Sequence, residues 1–200
     1  MLSTSRTGAD VPRALEAVVD KYRHTGDMAE LQAALAHLRE SAMADALIVA
    51  AEPYREMPEV AGPLYEKVVD EQPGNARALV ILANAYWLSG RGPEVVGDLA
   101  TRAIAADPAN RGAWHLWSLS ESNPRDRVAR WRQTTERFPD DDLARANFAD
   151  NLSSLAGAEF DPNALVEAIA QYELLLSRAG HPDQKLALES AINTLRGWRL

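Results

Sequence analysis

Asp20 and His24 stand four residues apart in the stretch DKYRHTG, a spacing that brings a carboxylate and an imidazole to one helix face, where they can share a proton. His115 is a further imidazole to weigh for an enzyme working in a cleft. The four histidines are dispersed at 24, 37, 115 and 181, no HExxH or Glu-x-x-His pair occurs, and no glycine-rich phosphate loop follows a strand. A solvated pair explains Asp20 and His24 better than catalysis does. The run PDDD at 139–142 looks like a metal cluster but has the composition of a helix N-terminus, where carboxylates accept orphan N–H groups and favour the helix dipole. No catalytic residue, metal or cofactor is therefore expected. Residues 125–137, RDRVARWRQTTER, hold five arginines around Trp131; a basic aromatic patch for an anionic partner is one reading, and a solvated helix is the favoured one. Binding chemistry is better represented by ARALVILANAYWLSGR at 76–91, an apolar helical run that closes on Asn84, a Tyr-Trp pair and a glycine.

The elements that carry these residues are helical. Sustained apolar/polar alternation is missing, and breaks such as HTGD (24–27), EQPGN (71–75), ADPAN (106–110) and SNPRD (122–126) leave segments of ordinary helix length. Formal charge is −8, with 7 basic and 13 acidic side chains in residues 1–75, which disfavours nucleic acid as the main ligand and suits a protein or peptide partner. The absence of cysteine removes disulfides and thiolate chemistry and fits a reducing compartment. The opening MLSTSRTGADVP lacks the apolar core of a signal peptide, and no stretch approaches the ~18 apolar residues of a spanning helix, so no membrane association and a cytoplasmic location are expected.

Internal repetition organises the chain. Ala61, Tyr65, Val68 and Pro73 are spaced 4, 3 and 5; Val96, Ala100, Ala103 and Pro108 repeat that spacing, as do Arg127, Trp131, Thr134 and Pro139. Leu31, Leu35, Leu38 and Met43 echo it without the proline, and so do Ala168, Tyr172, Leu175 and Gly180. Each ladder is preceded by one spaced 3, 1 and 3: Leu15, Val18, Val19, Tyr22; Asp45, Ile48, Val49, Glu52; Leu79, Leu82, Ala83, Tyr86; Trp114, Trp117, Ser118, Glu121; and Arg145, Phe148, Ala149, Leu152. At ~100° per residue such spacings fall on one helix face, as packing against a neighbouring helix requires.

This pattern resembles the tetratricopeptide repeat, whose signature runs large-apolar, x2, Leu, small, x2, Tyr in a first helix, then Ala, x3, aromatic and a closing Pro after a second. Residues 76–110 match most fully, through Leu79, Leu82, Ala83, Tyr86, Gly90, Ala103 and Pro108. The resemblance implies an all-α solenoid of five helix-turn-helix repeats at about 12–41, 42–75, 76–110, 111–140 and 141–182, after a flexible N-terminus over 1–11 and before a capping helix over 183–200. A clipped turn is expected between Glu121 and Arg127 and an enlarged loop between Leu152 and Ala168. Another α-solenoid is the structural alternative.

The resemblance also implies a concave groove, lined by the side of each first helix opposite its ladder, in which an extended peptide or a helix is held. On the third repeat that side carries Arg77, Val80, Asn84, Trp87 and Leu88; carried along the chain, the same register gives Arg13, Glu16, Asp20, Arg23 and His24, then Met43, Ala46, Ala50 and Tyr54, then His115, Leu119 and Ser122. The expected partner-binding residues are Tyr54, Arg77, Val80, Asn84, Trp87, Leu88, His115 and Leu119. Burial of Trp87 against a neighbouring repeat is the competing reading. Some members of the family grip a C-terminal carboxylate with Lys and Asn; Asn84 matches the Asn, but Val80 stands one turn earlier and no Lys completes that clamp. The function implied is a non-enzymatic adaptor or scaffold, with a dedicated chaperone or regulatory subunit for one protein as the alternative and a homo-oligomer left open.

Overall fold

The computed structural model describes residues 10–199, which form helices joined by short turns, with no strand among them. In chain order they are α1 (Asp10–Thr25), α2 (Met28–Ser41), α3 (Ala44–Ala51) continued by a 3₁₀ turn at Glu52–Tyr54, α4 (Pro58–Glu71), α5 (Ala76–Leu88), α6 (Pro93–Ala106), α7 (Arg111–Leu119), α8 (Pro124–Arg137), α9 (Asp142–Glu159), α10 (Pro162–Arg178) and α11 (Pro182–Arg196). Local chemistry sets the starts. Asp27, Asn75, Asn123, Asp141 and Asp161 each accept a backbone N–H of the first helical turn, and Pro58, Pro93, Pro124, Pro162 and Pro182 sit in the first turn, where a missing N–H costs nothing. The PDDD run thus supplies the cap of α9 through Asp141.

Two compact units divide the chain, Met1–Leu116 and Trp117–Leu200, with the boundary inside α7. In the first, α1 packs on α2 and α3, α4 on α2, α3 and α5, and α5 on α6. Its core is built from the expected ladders: Leu15, Val19, Leu31, Leu35, Ala61, Tyr65, Val68, Leu79, Ala83, Val96, Ala100 and Ala103 are all buried. In the second, α9 packs on α8 and α10, and α10 on α11, around Trp131, Phe148, Leu152, Ala168 and Leu195. α11 turns Ile192 and Leu195 inward, Trp198 joins them half-buried, and Lys185, Glu189, Asn193 and Arg196 stay exposed.

The structure departs from the sequence expectations at four places. α1 begins at Asp10 and buries Val11, inside the segment 1–11 expected to be flexible; the rest of that segment lies outside the described residues. The enlarged loop expected after Leu152 is helix: α9 runs on to Glu159 because Leu155 and Ala156 continue the buried face, and Phe160 ends it in the left-handed region at φ 55°. The five arginines of α8, expected as a solvated face in preference to a basic patch, are each engaged by a neighbour. Arg125 grips Glu159 of α9 through two bonds (2.9 and 2.6 Å), Arg132 grips Glu167 of α10 (3.3 and 2.7 Å), Arg127 donates to Asn151 (2.7 Å), Arg130 pairs with Glu121 (2.6 Å), and Arg137 lies over the Phe138 ring. The fourth departure is the register of α3, which bears on the site.

Candidate functional site

The first helices of successive repeats can be aligned on their caps. Asn75 caps α5 four residues before Leu79; Asn110 accepts from the Ala113 N–H four residues before Trp114; Asp141 caps α9 four residues before Arg145. α3 is entered through Met43, so its ladder should start at Leu47 and run Leu47, Ala50, Ala51, Tyr54. Burial agrees: Leu47, Ala50 and Ala51 are buried, whereas Val49 is 65% exposed and Asp45 is exposed. The ladder expected at Asp45, Ile48, Val49 and Glu52 is therefore two residues out of register. Ala50, assigned to the groove, is core, and the residues equivalent to Arg77, Val80, Asn84, Trp87 and Leu88 are Asp45, Ile48, Glu52, Arg55 and Glu56.

With that correction the two repeats meet at one place. A pocket of about 230 Å³ is lined by Arg55 and Glu56 from the end of the second repeat's first helix and by Arg77, Val80, Ile81 and Asn84 from α5. Its floor is aliphatic and its rim charged. Arg55 Nη1 donates to Glu52 Oε1 at 2.8 Å, Arg77 Nη2 donates to the same oxygen, and Arg55 Nε reaches Glu56 at 3.2 Å. Asn84 is half-buried, and among the described residues nothing pairs with its side-chain amide. The buried Tyr65 hydroxyl, which has no hydrogen-bond partner among the described residues, feels this cluster: burial first and then Glu52 raise its pKa, against the opposing pull of Arg77 and Arg55.

Trp87 and Leu88 follow on the same helix at 41% and 55% exposed, so the competing reading of Trp87 as a core residue does not describe this structure. They lie outside the lining of the pocket. Tyr86, one residue away, faces the other side: its hydroxyl donates to Glu66 of α4 at 2.8 Å, Arg91 stacks on its ring at 4.6 Å, and burial with the Glu66 bond pushes its pKa up to about 12. That leaves Tyr86 half-buried and anchored by a polar hub rather than enclosed in the core.

Three other expected residues lie outside the lining of this pocket. Tyr54 is half-buried in the 3₁₀ turn with Arg23 over its ring at 5.8 Å; burial, then Glu16 and Asp20, raise the pKa of its hydroxyl. His115 is half-buried on α7 at the position equivalent to Val80. Leu119 closes α7, and its half-buried side chain packs against the Trp131 cluster of the second unit. Asp20 and His24 make no carboxylate–imidazole pair, because His24 Nδ1 donates to the Asp20 backbone carbonyl at 2.6 Å while the Asp20 carboxylate pairs with Arg23 at 3.5 Å. Among the described residues no group of three or more His, Asp or Glu could hold a metal ion, and no helix is long and apolar enough to cross a membrane. A second depression of about 290 Å³, lined by Val18, Tyr22, Leu31 and Ala34 among others, lies between α1 and α2 and contains none of the expected site residues.

No protein-family model matches the chain, and no curated protein matches it. Solved structures do. PilF of Pseudomonas aeruginosa aligns at 18% identity over 94% of this chain and 86% of its own, with a TM-score of 0.61. MamA aligns at 18% identity over 88% and 96% with a TM-score of 0.57, and TTC0263, a thermophilic tetratricopeptide protein of Thermus thermophilus, at 18% over 91% and 98% with a TM-score of 0.56. At that identity the likeness is one of fold: an all-α tetratricopeptide-type solenoid.

Proposed function

We propose that this chain of tetratricopeptide fold is a non-enzymatic adaptor of the cytoplasm that holds a segment of a protein partner along the face made by the end of α3 and by α5. The observation that carries the reading is the composition of one face of α5. Val80 and Asn84 line an open pocket with Arg77, and Trp87 and Leu88 continue the same face uncovered, although large apolar side chains are ordinarily buried. Pre-formed helices offer this strip at little ordering cost, and a partner supplies the missing cover for Trp87 and the missing acceptor or donor for the Asn84 amide.

A display selection of random peptides on the immobilised chain tests it. Enriched peptides should bind in solution and lose binding to Trp87→Ala and Asn84→Ala, each shown to be folded by circular dichroism. Peptides indifferent to both substitutions, or no enrichment at all, would refute the assignment of this face.

A further inference from the structure

The chemistry of the rim says more about the partner than its apolar strip does. Arg55 and Arg77 come from consecutive repeats and converge on a single oxygen, Oε1 of Glu52, while no bond among the described residues falls on that carboxylate's second oxygen. Each guanidinium is a planar fork built for a carboxylate's two oxygens, and here two forks share one prong. Arg77 has no other polar partner among the described residues, and its side chain is 64% exposed. An exposed pair of this kind is held weakly and exchanges readily with another carboxylate. The aliphatic floor of Val80 and Ile81 and the unpaired amide of Asn84 lie in the same pocket.

We propose, resting on the groove reading above, that this pocket takes an Asp or Glu side chain of the partner segment, and that Glu52 is a resident carboxylate which that side chain displaces from Arg77. The incoming group restores a two-oxygen contact to Arg77, its methylene stem lies on Val80 and Ile81, and Asn84 bonds the partner's backbone. With Arg55 and Arg77 facing Glu52 and Glu56, the cluster is formally neutral, so Glu52 acts as a built-in competitor that sets the affinity. A singly charged carboxylate is the fitting anion, because the geometry of both arginines is already set around one.

The same peptide selection, run on the wild-type chain and on Arg77→Glu, separates this proposal from the one it rests on. Wild type should enrich peptides with Asp or Glu beside an aliphatic residue; Arg77→Glu should bind them about 10-fold or more weakly and should itself enrich Lys or Arg at that position. Glu52→Gln, which removes the competitor, should tighten the acidic peptides several-fold. If wild-type peptides depend on Trp87 and Asn84 but show no acidic preference and ignore Arg77→Glu, the carboxylate assignment is overturned and the groove stands. Weaker binding to Glu52→Gln overturns the competitor role, and the absence of any peptide sensitive to Trp87 and Asn84 overturns both proposals.

Discussion

Replacing Trp87 by Ala gives the most direct separation of a binding face from a packing face. A tryptophan side chain presents up to about 250 Å², and at 41% exposure about 100 Å² remains for a partner to cover. At ~25 cal/mol per Å² its burial is worth about 2.5 kcal/mol, so Trp87→Ala should weaken a groove-bound peptide by about 70-fold. The covered remainder of the ring, about 150 Å², is worth up to ~3.7 kcal/mol of packing at the same rate, and ~0.5 kcal/mol of better helix propensity offsets part of it, so the fold loses up to about 3 kcal/mol. Leu79→Ala is the opposite case, since Leu79 is fully buried and truncation of a core Leu costs ~2–5 kcal/mol. For a chain of this size 1 kcal/mol moves Tm by about 2–4 °C, so both variants should melt several degrees lower, while only Trp87→Ala should lose affinity in a peptide titration. A Trp87→Ala chain that binds peptide as tightly as wild type, or a folded Leu79→Ala chain that loses as much affinity, refutes the assignment of faces and with it the placement of Val80, Asn84 and Leu88 in a site.

Three further tests address the scaffold. Phe160 sits at φ 55° with 72% of its surface exposed, so Phe160→Gly should stabilise the chain by about 1 kcal/mol while Phe160→Ala does not, as read in denaturant midpoints; a loss of stability in the glycine variant contradicts the strain. Glu121 pairs with Arg130, and Arg127 donates to the Glu121 carbonyl at 3.1 Å, so the short turn at 120–123 is tied down. A double-mutant cycle on Glu121 and Arg130 should give a coupling of about 1 kcal/mol, and amide exchange over 120–128 should match that of α8, with early exchange there counting against the tie. Tyr86 and Tyr172 donate to Glu66 and Asp150, and both hydroxyls are pushed up to about 12. The folded state thus favours the neutral phenols, a contribution fully present below pH ~10 and lost as pH rises from about 10 through about 12. Burial first and then the carboxylate bonds cause both shifts, so Tyr86→Phe and Tyr172→Phe should each flatten that alkaline loss of stability, and an unchanged pH profile would refute the shifts.

Much of the fold was legible because its ladders are made of residues with one preference. Leu31, Leu35 and Leu38, or Leu79 and Leu82, can only face inward, and the caps at Asn75, Asp141 and Asp161 mark where each helix starts. α3 misled for the opposite reason. Its true ladder of Leu47, Ala50, Ala51 and Tyr54 relies on two small residues that allow close approach, while the more hydrophobic Val49 between them is exposed and mimics a core position. The family signature itself, with a small residue followed three positions later by Tyr, fits Ala51 and Tyr54 and was the signal available. The error concealed the second repeat's share of the pocket, because Arg55 and Glu56, which line it, and Glu52, which Arg55 and Arg77 both contact, take the positions equivalent to those of α5 only in the corrected register. The boundary inside α7 left no mark, since RGAWHLWSL carries the same mix of apolar and polar residues on either side of Leu116. Leu119 could not be placed from spacing alone, since its packing depends on where α7 stops and α8 begins.

The arginines show why a dense run of positive charge is not by itself a binding patch. α8 offers the densest run of positive charge in the chain, yet Arg125 and Arg132 each hold a carboxylate of another helix through two bonds, and Arg130 combines an ion pair with Glu121, a bond to the Trp117 carbonyl at 2.8 Å and stacking on the Trp117 ring. A partner's acid would have to replace two-oxygen contacts already made, and so gains little by the exchange. Arg55 and Arg77 are only two, but they share one oxygen and leave donors over at the edge of an aliphatic pocket. What recruits an anion is the number of donors left without an acceptor, not the number of cations. That quantity depends on which residues face each other across helices, and sequence spacing does not contain it until the register of every helix is right.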